Sequence, residues 1–390
     1  MFAIQTLNAI SPRGLNRFPD NLFSVADNIE NPDGILLRSH DLHRTDFPSS
    51  LKAIARAGAG VNNIPIEECS KNGIVVFNTP GANANSVKEL VLASLFLSSR
   101  KIHEGISWAR SQQDRHGDVE QVIEKGKSQF AGPEVRGKKL GVIGLGAIGV
   151  LVANDAVGLG MEVVGFDPFI SIESAWGLSR SVTRAQRIDN LLSTADYISL
   201  HLPLTEKTAS TLDKTAFGKM KKGVRILNFS RAGLVDDLAL ISAIETGVVE
   251  RYITDFPNEQ LISNEGVIPI PHLGASTPEA EENCAIMAAE QMINFLTTGN
   301  IRNSVNFPTC EMPASGDARI VIANENIPNM VGQISTTLAE QKINISDMLN
   351  RHKADYAYNI IDIEGQMSPV TIEDLKRIDG VVMVRLIGGE

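Results

Sequence analysis

The sequence predicts an α/β protein, with two doubly wound parallel-sheet domains followed by a smaller βαββαβ unit. Three observations carry that expectation. Continuous apolar runs alternate with helical patterns through most of the chain, as strands buried on both faces require. One of those runs opens into a glycine-rich turn and a helix. From about Thr297 the pattern changes, first to a linker and then to the order strand, helix, strand, strand, helix, strand.

In chain order, GILLRS (Gly34 to Ser39) and GIVVFNTP (Gly73 to Pro80) read as strands of a first parallel unit. A long helix is expected from near Ser86 into the Arg100 region, since no proline interrupts it. Its apolar core LVLASLFL is too short to cross a bilayer, and the N-terminus lacks a basic-then-apolar signal. A charged interval, Gln112 to Lys127, leads to KKLGVIGLGAIG (Lys138 to Gly149), a strand, turn and helix start. MEVVGFDP (Met161 to Pro168), ADYISLHLP (Ala195 to Pro203), VRILNFS (Val224 to Ser230) and ERYITDF (Glu250 to Phe256) follow as further strands. VIPIPHLGAST (Val267 to Thr277) then feeds a helix whose start carries a capping box, Ser276 to Glu279, with Pro278 in its first turn. GNIRNSVNFPTCEMPASGD has linker composition, and ARIVIAN opens the ferredoxin-like C-terminal unit.

Composition bounds the partners. A net charge of −10 on 390 residues argues against nucleic acid or an acidic membrane. An anionic ligand would need local arginines. Cys69, Cys284 and Cys310 are odd in number and widely spaced, which fits a reducing compartment without disulfides or a zinc site; a cytoplasmic soluble protein is expected.

The turn Gly144-Leu-Gly146-Ala147-Ile148-Gly149 fits G-x-G-x-x-G in the right setting, after a strand and at a helix start. Gly144 allows the tight turn, Gly146 admits a pyrophosphate, and Gly149 lets helix and strand pack closely. The helix N-terminus offers N–H groups to phosphate. Asp167 ends the next strand, where it can accept from both ribose hydroxyls and repel a 2′-phosphate, so NAD is favoured over NADP. Downstream, three strand-end segments deliver Arg231, then Asp255 with Glu259, then His272. Each has a plainer reading: a surface charge, a solvated acid, a loop histidine bonded to a carbonyl. Together they fit one cleft, since open α/β sheets hold ligands at the C-terminal ends of strands.

At this point the chain resembles the D-isomer-specific 2-hydroxyacid dehydrogenases, in particular the branch that acts on 3-phospho-D-glycerate and carries a C-terminal ACT domain. The carriers are ARAGAGVNNI (Ala55 to Ile64), VFNTPGANANSVKEL (Val76 to Leu90), VIGLGAIG, ADYISLHLPLT, LNFSRAGLVDD (Leu227 to Asp237) and PHLGAST, spread over nearly the whole length. The resemblance implies a discontinuous substrate domain (1–95 and 275–310), an inserted Rossmann domain for NAD (96–274) and an ACT domain (318–390), with the cleft at the first junction. It also implies that Arg231, Glu259 and His272 are catalytic. His201, Pro203 and Asp255 would touch the cofactor, the last on the nicotinamide side. The backbone of Ala59, Gly60 and Val61 would hold the substrate carboxylate, and Arg38 and Arg56 the phosphate. Asn326 and Asn344 match positions that bind an L-serine effector between paired subunits, in a homodimer or homotetramer. Two departures stand out: Arg231-Ala232 replaces the usual Arg-Gly, and Asp255-Phe-Pro-Asn-Glu259 is one residue short of the usual spacing. The activity implied is oxidation of 3-phospho-D-glycerate to 3-phosphooxypyruvate. The alternatives are a hydroxypyruvate, glyoxylate or 2-oxoglutarate reductase, or a scaffold that binds NAD without turnover.

Overall fold

The computed structural model describes residues 1–113 and 118–388. The chain divides into two compact units, Met1–Ala82 with Pro278–Glu390, and Asn83–Thr277.

In the first unit a parallel five-stranded sheet runs in the order β2-β1-β3-β4-β5. Its strands are β1 (Phe2–Leu7), β2 (Phe23–Ala26), β3 (Gly34–Leu37), β4 (Ala53–Arg56) and β5 (Val75–Phe77). β3 and β5 are buried at every position, the reason they read as unbroken apolar runs. The helix Pro278–Thr298 returns to this sheet and packs Ala288, Ala289, Met292 and Phe295 against Ile4, Leu36 and Phe77. It starts at Pro278, one residue later than the box Ser276–Glu279 would place it. Cys69, Cys284 and Cys310 are all buried and unpaired; burial pushes the Cys69 thiol up to about 12.

The same unit carries an antiparallel sheet of β13 (Ala318–Glu325), β14 (Asn344–Lys353), β15 (Tyr356–Glu364) and β16 (Val381–Gly388), ordered β14-β15-β13-β16. With the helices Met330–Glu340 and Pro369–Lys376 this is the expected βαββαβ unit. Its sheet is covered on both faces. Ile320 and Ile322 meet the two helices, while Val321, Ala323, Tyr358 and Ile360 join the core of the parallel sheet. Arg319 pins this arrangement. It donates to both Asp362 oxygens (2.6 and 2.9 Å), to the Thr298 carbonyl at the end of the long helix and to the Pro313 carbonyl. Burial alone would raise the Asp362 carboxyl, and the Arg319 and Ser315 donors outweigh it, holding it below the usual carboxylate range.

The second unit is a parallel seven-stranded sheet, β12-β11-β10-β9-β6-β7-β8. It comprises β6 (Lys139–Ile143), β7 (Glu162–Phe166), β8 (Thr183–Arg184), β9 (Tyr197–Leu200), β10 (Val224–Asn228), β11 (Val249–Thr254) and β12 (Val267–Pro269). Sheet order reverses beside β6, the switch point where such folds hold ligands. The helix Ala84–Ser99 belongs here, so the division falls at 82/83 and not after residue 95. Long-range bonds explain this. Arg225, buried in β10, donates to the Ser98 carbonyl (2.9 Å), Ser99 Oγ meets the Tyr197 hydroxyl (2.7 Å), and Lys88 pairs with Asp155 (2.8 Å). The charged interval expected from Gln112 to Lys127 forms a helix over Val119–Gly126; residues 114–117 lie outside those described. Among the described residues no helix is long and apolar enough to cross a membrane.

Candidate active site

The glycine turn follows β6 as the sequence predicts. Gly144 has φ +92°, open to glycine at little cost, and a Cβ there would overlap the His201 carbonyl. A Cβ on Gly149 would overlap the Gly144 carbonyl. Gly146 differs, because a Cβ there meets nothing within 4 Å. It caps the helix Ala147–Gly158 without a side-chain bond, and the first intrahelical acceptance is Val150 N–H to Gly146 O. The N–H groups of Ala147, Ile148 and Gly149 therefore have no intrahelical acceptor, the arrangement that can take a phosphate. Asp167, at the end of β7, accepts from Leu145 N–H and Phe169 N–H, both at 2.8 Å. Its carboxylate is thus fixed against the turn, with lone pairs left for ribose hydroxyls.

His201 and Pro203 end β9. His201 Nε2 meets Ser199 Oγ at 2.8 Å, and Nδ1 is sealed from solvent with no partner. Although the residue as a whole is only half-buried, its ring is not solvated, and burial brings its pKa down to about 3. The imidazole is neutral at physiological pH.

The neighbouring strand ends are linked by side chains that sequence reasoning did not single out. Ser230 Oγ donates to the Leu200 carbonyl (2.6 Å), tying the end of β10 to β9. Buried Asn228 donates to the Arg231 carbonyl (2.9 Å) and the Tyr252 hydroxyl (3.1 Å) and accepts from Ser230 N–H. The turn presenting Arg231 to solvent is thereby fixed to β11. A polar residue closing the apolar run Ile226-Leu227 at the strand end was the available signal.

Asp255 is 2% exposed, and its Oδ1 has no partner. Burial raises its carboxyl above the usual range, while His272, the Gly274 N–H and Arg231 pull it down. His272 is exposed, with its ring edge-on to Phe256 at 4.7 Å between centroids. Arg231, Asp255 and His272 therefore gather at one edge of the sheet. Glu259 is exposed at the start of the helix Glu259–Ile262, and among the described residues no hydrogen bond or ion pair joins it to His272.

In the first unit, Arg56 donates from Nε to the Arg38 carbonyl (2.9 Å) and from NH1 to the Gly60 carbonyl (2.6 Å), and burial lowers its pKa. Thr79 N–H takes the Gly58 carbonyl and Asn78 Nδ2 the Ala59 carbonyl. Because a trans peptide points its N–H opposite to its C=O, the N–H groups of Ala59, Gly60 and Val61 all turn away from these donors. Among the described residues they meet no acceptor. Three successive N–H groups without acceptors are an arrangement that can take an anion. Arg38 lies half-exposed in an ion pair with Glu281 (2.8 Å). In the C-terminal sheet, Asn344 Nδ2 donates to Glu364 (2.8 Å), and Asn326 bonds the Ala354 and Asp355 carbonyls of a hairpin turn. Both amides already have structural partners.

A dinucleotide-type turn with ionisable groups at neighbouring strand ends defines the class of doubly wound NAD-binding proteins. Residues 92–274 match the NAD binding domain of the D-isomer specific 2-hydroxyacid dehydrogenases, and the chain belongs to that family. It is 31% identical over 364 residues to D-3-phosphoglycerate dehydrogenase of Archaeoglobus fulgidus, covering 89% of this chain but less than two thirds (65%) of that relative. The enzyme of the same name from Escherichia coli K12 is 30% identical over 379 residues, covering 93% of this chain and 88% of the relative. Among solved structures, NAD+-bound 3-phosphoglycerate dehydrogenase of Entamoeba histolytica superposes with a TM-score of 0.58 at 27% identity, covering 78% of this chain and 98% of that one.

Two outcomes are expected. Gly146→Ala should melt within about 2 °C of the parent and weaken NAD binding at least ~10-fold, since its methyl enters only ligand space. Gly149→Ala should instead lower the melting temperature, because the helix must move. The second outcome concerns pH. A histidine held near 3 in the fold and near 6.5 when unfolded stabilises fully above 6.5, and that stability drains away as pH falls toward 3. His201→Gln should therefore flatten the decline in melting temperature between pH 7 and 4.5; an unchanged slope would place the acid sensitivity elsewhere.

Proposed function

We propose that this chain is an NAD-dependent D-3-phosphoglycerate dehydrogenase, which oxidises 3-phospho-D-glycerate to 3-phosphooxypyruvate, the first committed step toward L-serine. The observation that carries the proposal is a single chain holding both an NAD-binding sheet edge and the outward N–H cradle at Ala59–Val61 with Arg38 and Arg56 beside it. The matching relatives of that name support it.

NAD, when bound, accepts a hydride at C4 of its nicotinamide. The residues of this chain do the rest. His272 takes the proton of the C2 hydroxyl as the C2–H bond gives up its electron pair, so the alcohol becomes a ketone and the imidazole an imidazolium. Arg231, permanently charged, holds the substrate carboxylate and stabilises the charge developing on the C2 oxygen. The Ala59–Val61 N–H groups share that carboxylate. Arg38 and Arg56 hold the phosphate. Asp167 holds the adenosine ribose and rejects a 2′-phosphate.

Steady-state turnover with 3-phosphoglycerate and NAD tests the reading. His272→Ala should lower kcat at least ~100-fold with NAD affinity kept. Arg38→Ala should chiefly raise KM for the phosphorylated substrate. An equal loss with unphosphorylated hydroxypyruvate would remove the phosphate role and favour a reductase of smaller 2-oxo acids. NAD binding without turnover on any 2-hydroxy acid would leave a scaffold. Repeating the assay with L-serine decides whether Asn326 and Asn344 serve an effector or only their structural partners.

A further inference from the structure

We infer that a cavity in the first unit binds a basic amino acid, a molecule with one carboxylate and two cationic nitrogens, and that its floor is linked to the loop carrying the Ala59–Val61 N–H groups. The cavity has a volume of about 530 Å³. One wall is a face of the helix Pro278–Thr298, on which Met287, Glu290, Gln291 and Asn294 recur at helical spacing. The other face of that helix, with Ala288, Ala289, Met292 and Phe295, enters the core, so the polar face is left to line the cavity.

The second wall supplies charge. Ile301 and Cys310 exchange two backbone hydrogen bonds (2.8 and 2.9 Å), which brings their chain neighbours Arg302 and Glu311 to the same cavity. The two side chains carry opposite charge, yet among the described residues neither makes a hydrogen bond or ion pair. Room for a ligand is left between them. Glu290 is the second acid; its contact with Arg17 at 3.5 Å is exposed and contributes little. One guanidinium thus faces two carboxylates, and a ligand with one anionic and two cationic groups balances the set. The overall charge of −10 also draws such a ligand. Arg302 can take the ligand carboxylate with two parallel bonds. Asn294 Oδ1 already accepts from Thr298 Oγ1 (2.9 Å), which leaves its Nδ2 as a further donor. Met287 and Pro80 offer apolar surface to a methylene stem.

The floor points the same way by a separate observation. Gln291 is 8% exposed, with Nε2 donating to the Asn78 carbonyl (3.0 Å) and Oε1 without a donor. A buried amide oxygen left unmatched is costly, and a ligand ammonium in the cavity can supply the missing donor. Asn78 Nδ2 in turn donates to the Ala59 carbonyl (2.7 Å), and Thr79 N–H to the Gly58 carbonyl (3.1 Å). Pro80, next in the chain, lines the cavity. The segment 78–80 therefore meets the cavity and holds the 58–61 loop at once, with two hydrogen bonds between Gln291 and Ala59.

The test is calorimetry on the full chain with L-lysine, with norleucine, which lacks the side-chain ammonium, and with cadaverine, which lacks the carboxylate. L-lysine should bind saturably and each analogue at least ~10-fold more weakly. Arg302→Gln should weaken L-lysine at least ~10-fold, and Glu311→Gln at least ~3-fold, with the melting temperature unchanged because both side chains are exposed. Hydrogen exchange reads the link: saturating L-lysine should slow exchange at least ~2-fold in peptides spanning 75–82 of the parent, and not in Arg302→Gln. No saturable binding of L-lysine, or equal binding of all three molecules, overturns the site, and the parent alone decides this. Saturable binding with exchange over 75–82 unmoved overturns the link. Neither measurement needs turnover, so the outcome is independent of the dehydrogenase reading.

Discussion

The candidate site depends on one close approach, that of the Gly144 turn to the end of β9. Any side chain at Gly144 would overlap the His201 carbonyl, so turn and strand end lie at backbone contact. From there the geometry passes laterally. The Leu200 carbonyl takes Ser230 Oγ, Asn228 bridges the Arg231 carbonyl and the Tyr252 hydroxyl, and Tyr252 stands three residues before Asp255 on β11. The cofactor turn, the guanidinium and the acid are thus registered to each other by bonds across adjoining strands. Each such bond contributes only ~0.5–1.5 kcal/mol net, so their value lies in placement more than in stability.

Much of this was legible in the sequence because it is local. The glycine turn, the strand before it and Asp167 after it are written within one β-α-β segment, and all three fall where expected. The C-terminal unit was equally readable, since its six elements follow one another in the order strand, helix, strand, strand, helix, strand within a short stretch of chain. What escaped was long-range. The helix Ala84–Ser99 reads as the end of the first unit, and only the Arg225, Tyr197 and Asp155 partners, all far along the chain, assign it to the second. Glu259 is a case in which the sequence marks the one-residue change in spacing but does not give the orientation of a side chain at the start of a short helix.

Arg56 illustrates how a structural side chain can shape a candidate binding site. Its Nε and NH1 engage two backbone carbonyls, an arrangement that reads as purely structural. Yet holding the Gly60 carbonyl is one of the three constraints that turn the N–H groups of Ala59–Val61 outward. The guanidinium builds the cradle whether or not it touches the anion held there, and it adds positive charge behind it. On the proposed reading, a substitution at Arg56 would therefore disturb carboxylate and phosphate recognition together, unlike one at Arg38.

Arg38 poses the sharper energetic question, since its guanidinium is already paired with Glu281. On the proposed reading, a phosphate dianion would have to displace that carboxylate in a protein whose net charge of −10 opposes anions generally. The pair is 42% and 45% exposed, so the displaced Glu281 returns to water rather than to an apolar interior. Exposed pairs of this kind contribute only ~0–1 kcal/mol, whereas a bidentate guanidinium–phosphate bond is among the stronger charge-assisted contacts. The exchange is therefore favourable only for a ligand that uses both guanidinium nitrogens. A monoanionic carboxylate gains little over Glu281 itself, so on the proposed reading the ion pair would act as a filter for phosphorylated substrates rather than an obstacle to them.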